Sequence, residues 1–525
     1  MKTFQWSHTR TFVLIAVMVI GLGLPSLFFP FGRDQGSHAY AGWSWLHGRL
    51  PYRDVWIQKG PLHLVPHLLV TALFGRTMWG IRVYDLLWQM VTCWLLFLIG
   101  RRRLRHREAL IAPALYLLVY YSFQYWHLAH TEGFLSPWIL LGVCLYESAQ
   151  NARRRWPYLW LGGFALGVAP WFKQTALLQV AGVFLWAALD SWRARKIKSL
   201  PACWLALGLG FLAATALILL LMSAHGMLEP MVEISRYSFV DYPKMSRLQS
   251  YSALHLLGLY MLFALFWILQ YGALAFPFLV GVWYFVARPG QRQGWHGILL
   301  MTLCGLAGIY LQGRMWEYQW VSTLPFMALI AARAMGAGLA TLSEKGIPRA
   351  RPTVWLLIVG LALTTPAVLT LGSHYVNLAL YLTGYRSRAE YLKRYSTPDF
   401  EINEIIETAD YVRGHTADHD AVFVWGHFAA IYYLSGRQNP TRFGADAPLS
   451  LVHPRQDEWR RQCMRDLQAR PPAYIVVAAA DATPIEPLTS KQQLRDFIEL
   501  KVFLESNYAF ERQIGDFELY ARSSQ

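Results

Sequence analysis

The 525-residue chain is 55% hydrophobic, carries 23 tryptophans and has only 15% charged residues, against about 25% in an ordinary soluble domain, which places it among polytopic membrane proteins. Its net charge of +16 is uneven: residues 1–384 carry 31 basic and 12 acidic side chains, residues 385–525 carry 17 and 20. The positive charge thus belongs to the membrane part, where loop charge sets topology, and nucleic-acid binding is not indicated. Cysteines 93, 144, 203, 304 and 463 are scattered without a CxxC or Cys/His cluster, which argues against a disulfide framework or a structural zinc site.

The basic-flanked apolar run 11–31 is too long for a signal peptide's apolar region and lacks a small-residue cleavage site, so it reads as a retained anchor. Runs near the roughly 20 residues a spanning helix needs lie at 11–31, 79–100, 109–124, 132–150, 157–172, 175–192, 201–224, 267–287, 296–312, 318–340 and 353–375. Segments 61–74 and 251–266 are also apolar and are expected to be interfacial or re-entrant, because counting either as a span breaks the charge alternation. The clusters Arg101-Arg102-Arg103-Leu104-Arg105, Arg153-Arg154-Arg155, Arg193 to Lys198, Arg288/Arg292 and Lys345/Arg349/Arg351 fall in every second short loop. The positive-inside rule assigns them to the cytoplasm with Lys2 and Arg10, and sends the chain after 375 to the outer face.

Five segments then emerge on that outer face: the 32–62 loop, His130 to Gly133, Lys173 to Thr175, the 225–250 loop and Gly313 to Tyr318. Ionisable groups at the ends of spans are functional hypotheses by default. From about 385 strands alternate with helices: helices at 400–414, 427–436, 455–469 and 491–504, strands at Ala421–Trp425 and Tyr474–Ala478, and a closing pair near 507–521. The expected fold is a polytopic α-helical membrane protein of about 11 spans plus interfacial helices (1–384, with first outer loop 32–62). A soluble α/β domain (385–525) follows on the outer face.

Each outer-face group has two readings. Asp34 is either a general base at the mouth of a cavity or a solvated carboxylate beside Arg33. Lys59, just before Pro61, either meets a lipid phosphate or snorkels. Arg53 assists it or pairs with Asp54. Glu132 either complements a helix N-terminus or holds a cation in a cavity. Lys173, with no carboxylate near it in sequence, wants an anion. Arg314 and Tyr318, four apart, close over a phosphate, or Arg314 pairs with Glu317. His63 and His67 have metal-ligand spacing, but no acidic third ligand lies nearby in sequence, so no metal site is expected. Val424-Trp425-Gly426-His427 reads as a strand end packed beneath a helix before it reads as a ligand contact.

The strings Gly32-Arg33-Asp34-Gln35-Gly36, Gly48-Arg49-Leu50-Pro51-Tyr52-Arg53-Asp54-Val55-Trp56 and Lys59-Gly60-Pro61-Leu62 resemble bacterial membrane glycosyltransferases of the GT-C architecture. The group they resemble is the dolichyl-phosphate-mannose–protein mannosyltransferases and aminoarabinose-transferase-like enzymes. Thr131-Glu132-Gly133-Phe134, Gly163 to Thr175, Tyr318 with Pro325, and Val424-Trp425-Gly426 extend the likeness along nearly the whole chain. The resemblance implies transfer of a sugar from a polyprenyl-phosphate donor on the outer face of the inner (plasma) membrane. It implies Asp34 as the catalytic acidic residue and Lys59 facing the lipid phosphate. Gln35 and Gln58 stand where relatives carry acids, one of them metal-binding, so a divalent cation is left in doubt and no cofactor is assigned. The expected chemistry is an inverting displacement with Asp34 as general base and Lys59, Arg53, Lys173 and Arg314 clamping the phosphate; Glu132, Tyr318 and Asp54 support. The partners are the polyprenyl-phosphate sugar, a lipid, glycan or protein acceptor, and membrane lipids. A transporter or flippase for lipid-linked saccharides is the alternative, disfavoured because the charges crowd the outer ends of spans and no repeat is visible. A non-catalytic assembly factor is the third.

Overall fold

The computed structural model describes residues 7–241, 253–288, 290, 294–313, 316–343, 365–482 and 487–523. These are mostly helical, with one four-stranded sheet, and the chain is a polytopic membrane protein with a small C-terminal α/β part. Helices stand at each expected span: His8–Gly23, Gly80–Arg101, Ile111–Tyr120, Thr131–Asn151, Arg155–Val168, Ala176–Arg193, Leu200–Ala224, Gly272–Ala287, His296–Gln312, Leu324–Ser343 and Pro366–Leu382. Residues 353–364 of the last expected span lie outside the described residues. By length and apolarity alone, three stretches suffice to cross a bilayer among the described residues: His8–Phe28, Gly80–Arg101 and Ile197–Ala224. The apolar segment before 267 forms the helix Ala253–Gln270; its part Leu257–Gln270 meets Gly272–Ala287 at a 109° bend. Leu205, Leu209, Leu212, Leu217 and Leu220 are all exposed, a surface suited to lipid rather than water.

Contacts divide the chain into two compact units. One comprises Met1–Leu27, Arg82–Ile218 and Leu257–Leu378; the other comprises Phe28–Ile81, Leu219–Leu256 and Ala379–Gln525. The segment 32–62 therefore shares a unit with the C-terminal residues.

In the first unit, helices approach at small residues, as expected where lipid gives apolar side chains no reason to prefer one another. Gly163 and Gly167, one turn apart on Arg155–Val168, face the backbone of Leu200–Ala224. A Cβ at Gly163 would overlap the Leu207 carbonyl, and one at Gly167 the Phe211 carbonyl. Gly142 likewise admits Leu166. Gly163→Leu is expected to cost about 3 kcal/mol, the upper end of what overpacking typically costs, because the clash is with backbone; a large fall in thermal stability on fluorescence size-exclusion checks it. Gly208→Leu, at a position open for 4 Å around, should behave as wild type.

In the second unit the sheet order is β1-β2-β4-β3, with β1 (Val422–Trp425), β2 (Tyr474–Ala478), β3 (Tyr508–Ile514) and β4 (Phe517–Arg522). β1 and β2 are parallel and wholly buried, and β4 is antiparallel to both β2 and β3. The helices expected at 400–414, 427–436, 455–469 and 491–504 appear as Ile402–Gly414, Ala430–Ser435, Gln456–Ala469 and Ile498–Asn507.

The segment read from sequence as the first outer loop is instead largely helical over Arg33–Leu46. Gly32 precedes it, and its N–H donates to the Gln35 carboxamide (2.9 Å), satisfying one of the orphan donors of the first turn. Ala39, Tyr40, Ala41 and Trp43 are all buried, so the helix is covered on several sides and lacks the one-sided stripe that marks a helix in sequence. Arg49 ties the segment to the C-terminal residues by donating to the carbonyls of Asn439 (2.6 Å) and Thr441 (3.1 Å), and braces the segment itself by donating to the Asp54 carbonyl (2.7 Å). On the helix Leu228–Arg236, Glu233 pairs with Arg442 (2.7 Å) and Arg455 (3.0 Å) and accepts from the Trp459 indole (2.9 Å).

Candidate functional site

Asp34 lies in the first turn of Arg33–Leu46, where the helix N-terminus favours negative charge. Its Oδ2 is 3.3 Å from the Lys59 ammonium. Lys59 is brought there by a tight turn: Leu50 N–H donates to Asp54 Oδ2 (2.8 Å), Tyr52 adopts a left-handed φ of 68°, and the buried Tyr52 hydroxyl donates to the Lys59 carbonyl (2.7 Å). The helix Pro61–Phe74 starts two residues later, with proline at its first position.

C-terminal residues close on the same helix. Arg33 pairs with Asp399 at 2.8 Å and lies over the rings of Phe400 and Phe428. Gly36 admits Ala430, whose Cβ a side chain at position 36 would meet at 2.7 Å. Ser37 Oγ is 3.5 Å from His427 Nε2. Burial holds the His427 imidazole below its ordinary range, and the nearby Asp34 carboxylate pulls it partly back. His427 is thus a candidate site residue, the ligand-contact alternative to the strand-end packing read from the sequence. The usable signal was its position just after Gly426, at the carboxyl end of a parallel strand, where open α/β sheets gather ligands.

Arg53 follows its local alternative: it grips Asp54 with two donors (2.9 and 2.7 Å) at a half-exposed corner. Asp54 in turn closes the Leu50 turn, so both residues shape the loop.

The other unit holds a second polar cluster. Lys173, which has no acidic neighbour in sequence, pairs with Glu132, a buried residue in the first turn of Thr131–Asn151. His130 Nδ1 approaches the other Glu132 oxygen at 3.5 Å. Tyr318 stacks on His130 with ring centroids 4.0 Å apart, and Lys173 Nζ stands 5.1 Å over the Tyr318 ring. Glu317 pairs with His127 (2.8 Å) and accepts from Tyr271 and the Gln124 N–H. Burial alone would raise its carboxyl, but these partners outweigh burial and hold it low. Arg314 lies outside the described residues.

A buried pair of acids sits deeper in the second unit. Ser490 Oγ is 2.7 Å from Asp446 Oδ2 and 2.5 Å from Asp481 Oδ2, and one hydroxyl hydrogen cannot serve two carboxylates. Burial, reinforced by Asp481, pushes the Asp446 carboxyl up to about 6, so below that pH a protonated Asp446 can donate to Ser490 while Ser490 donates to Asp481. The folded state holds this proton more tightly than the unfolded chain. The group's contribution is therefore complete below about pH 4 and lost as pH rises through about 6. Asp446→Asn, with its permanent amide donor, should gain stability over wild type as pH rises from 4 to 6, on the order of 2 kcal/mol, and hold that gain to pH 8. Thermal unfolding across that pH range checks it.

Metal ligation among the described residues has one candidate, the buried trio His38, His63 and His67. The i,i+4 pair seen in sequence acquires its third imidazole from His38 on the preceding helix.

Residues 58–224 match the family model described as dolichyl-phosphate-mannose–protein mannosyltransferase. No curated protein matches the chain in sequence at a significant level. Among solved structures, the chain is similar to ArnT from Cupriavidus metallidurans bound to undecaprenyl phosphate, with a TM-score of 0.61 at 14% identity over 99% of each chain. It is also similar to the Archaeoglobus fulgidus oligosaccharyltransferase in complex with zinc and sulfate, with a TM-score of 0.54 at 14% identity over 98% of this chain and 73% of that one. The archaeal oligosaccharyltransferase AglB from Archaeoglobus fulgidus, in complex with an inhibitory peptide and a dolichol-phosphate, gives a TM-score of 0.54 at 13% identity, over 98% of this chain and 74% of that one. The chain has the GT-C fold.

Proposed function

We propose, taking the GT-C fold as premise, that the chain is a membrane glycosyltransferase that moves a sugar from a polyprenyl-phosphate donor to an acceptor hydroxyl on the outer membrane face. The observation that carries this reading is the Asp34 carboxylate at a helix N-terminus with the Lys59 ammonium 3.3 Å away. Two further facts support it: the family match begins at residue 58, and ArnT and AglB were solved with undecaprenyl phosphate and dolichol-phosphate.

In this proposal Asp34 takes the proton of the acceptor hydroxyl as its oxygen attacks the anomeric carbon. The bond from that carbon to the phosphate oxygen breaks with its electron pair leaving on polyprenyl phosphate. Displacement from the opposite side inverts the anomeric centre. An ammonium has three donors, so Lys59 can stabilise the departing phosphate charge while it orients Asp34. Lys173, held by Glu132, and Arg314 are proposed as further phosphate-binding cations. His427, whose imidazole is held below its ordinary range by burial, stands 3.5 Å from Ser37 of the Asp34 helix and is proposed to orient the acceptor.

The purified chain in proteoliposomes, given labelled polyprenyl-phosphate sugars and a panel of hydroxyl acceptors, tests the proposal. Labelled product with stoichiometric release of polyprenyl phosphate supports it. Movement of intact donor across the bilayer without bond cleavage would replace it with the transport reading.

A further inference from the structure

His38, on Arg33–Leu46, and His63 and His67, on Pro61–Phe74, bring three imidazoles together inside one compact unit. All three are buried, at 1%, 0% and 1% exposure. His63 Nε2 and His38 Nδ1 are 2.9 Å apart, and the three ligand nitrogens all lie within 4.8 Å of one another. Ring centroids are separated by 4.2, 5.4 and 5.6 Å. The close helix approach that allows this is visible at Gly42, where a Cβ would meet the Cβ of His67 at 2.7 Å.

We propose that His38, His63 and His67 bind one divalent transition-metal ion of the zinc class, with water completing a tetrahedron, and that the ion staples these two helices together. Nitrogens about 2.0–2.1 Å from one tetrahedral ion stand about 3.3 Å from each other. That spacing falls between the 2.9 Å contact and the 4.8 Å outer limit observed, so rotation about side-chain torsions completes the site. The donor set is imidazole without carboxylate, which suits Zn²⁺, Co²⁺ or Ni²⁺ and not the oxygen-seeking Mg²⁺, Ca²⁺ or Mn²⁺. His38 follows Asp34 by one helical turn, and His63 follows Lys59 by four residues. An ion there holds the strands of chain that carry the Asp34–Lys59 pair in register. This last consequence rests on the transferase reading; the metal site itself does not.

The full chain, purified in nanodiscs and stripped with a chelator, is dialysed against Zn²⁺ or Co²⁺ and analysed for metal content and visible absorption. The expected result is one ion per chain, with the d–d bands of tetrahedral nitrogen-ligated Co²⁺, and no competition from Mg²⁺. His67→Ala should lower affinity at least tenfold while eluting as a monodisperse peak, and His419→Ala, at an exposed position, should bind as wild type. Absence of stoichiometric metal in wild type, or full metal content in a well-folded His67→Ala, overturns the proposal. Should the histidine variants fail to fold, the wild-type Co²⁺ spectrum decides: tetrahedral bands support the site, and an octahedral spectrum or none overturns it. Transfer activity measured on the same stripped and reloaded samples separates the two readings. Metal bound without any transfer, before or after loading, counts against the function while leaving the site standing.

Discussion

Asp34→Asn is expected to lower sugar transfer by about 10²–10⁴-fold, the range a positioned general base contributes, with donor binding retained. The amide keeps the size and the helix-terminal position of the carboxylate but cannot accept the acceptor's proton. It also removes the charge opposite Lys59, so the ammonium should hold the phosphate no less well. The decisive measurement is a kcat-against-KM split with labelled donor in proteoliposomes: kcat falls and donor KM stays or improves. Transfer at the wild-type rate would remove Asp34 from the mechanism. Lys59 is the complementary position, where a neutral substitution should weaken donor handling through the lost phosphate contact.

The largest stability effect is expected at the Glu132–Lys173 pair. Glu132 is 2% exposed, so Lys173→Met leaves a buried carboxylate without its main cation. Removing one member of such a pair costs about 3–5 kcal/mol, whereas replacing both with groups of similar shape is near neutral. Lys173→Met should therefore unfold well below wild type in a thermal scan, and Glu132→Gln combined with Lys173→Met should recover most of the loss. Equal loss in the single and the double variant would show that packing, not charge, governs the site. The cycle also bears on function. If the double variant folds as wild type but transfers poorly, Lys173 acts on the substrate and not only on Glu132.

The positions of the apolar helices were legible because a bilayer demands long apolar runs, and a described helix falls within or overlaps each expected run from His8–Gly23 onward. The C-terminal strands were legible for a similar reason: Val422–Trp425 and Tyr474–Ala478 are short, continuously apolar and bounded by turn residues. Arg33–Leu46 was not, because its polar and aromatic residues are buried on several sides and no single periodic stripe survives. Helix length was also overestimated by hydropathy. Ile111–Tyr120 ends where Ser122 to His130 turn back, and an apolar run does not announce where its backbone breaks.

By itself the sequence determined the membrane class, the order of helices, the change to an α/β character near 385, and which charged residues had no solvating surroundings of their own. Only the tertiary structure decided their partners. It joined Lys173 to Glu132 across 41 residues, Lys59 to Asp34 and His63 to His38 across 25 each, and Arg33 to Asp399 across 366. The reason is physical. Hydropathy is a property of each residue and can be summed along a chain, whereas an ion pair or a ligand set exists only between groups that folding brings within a few ångströms, and nothing in local composition encodes that separation.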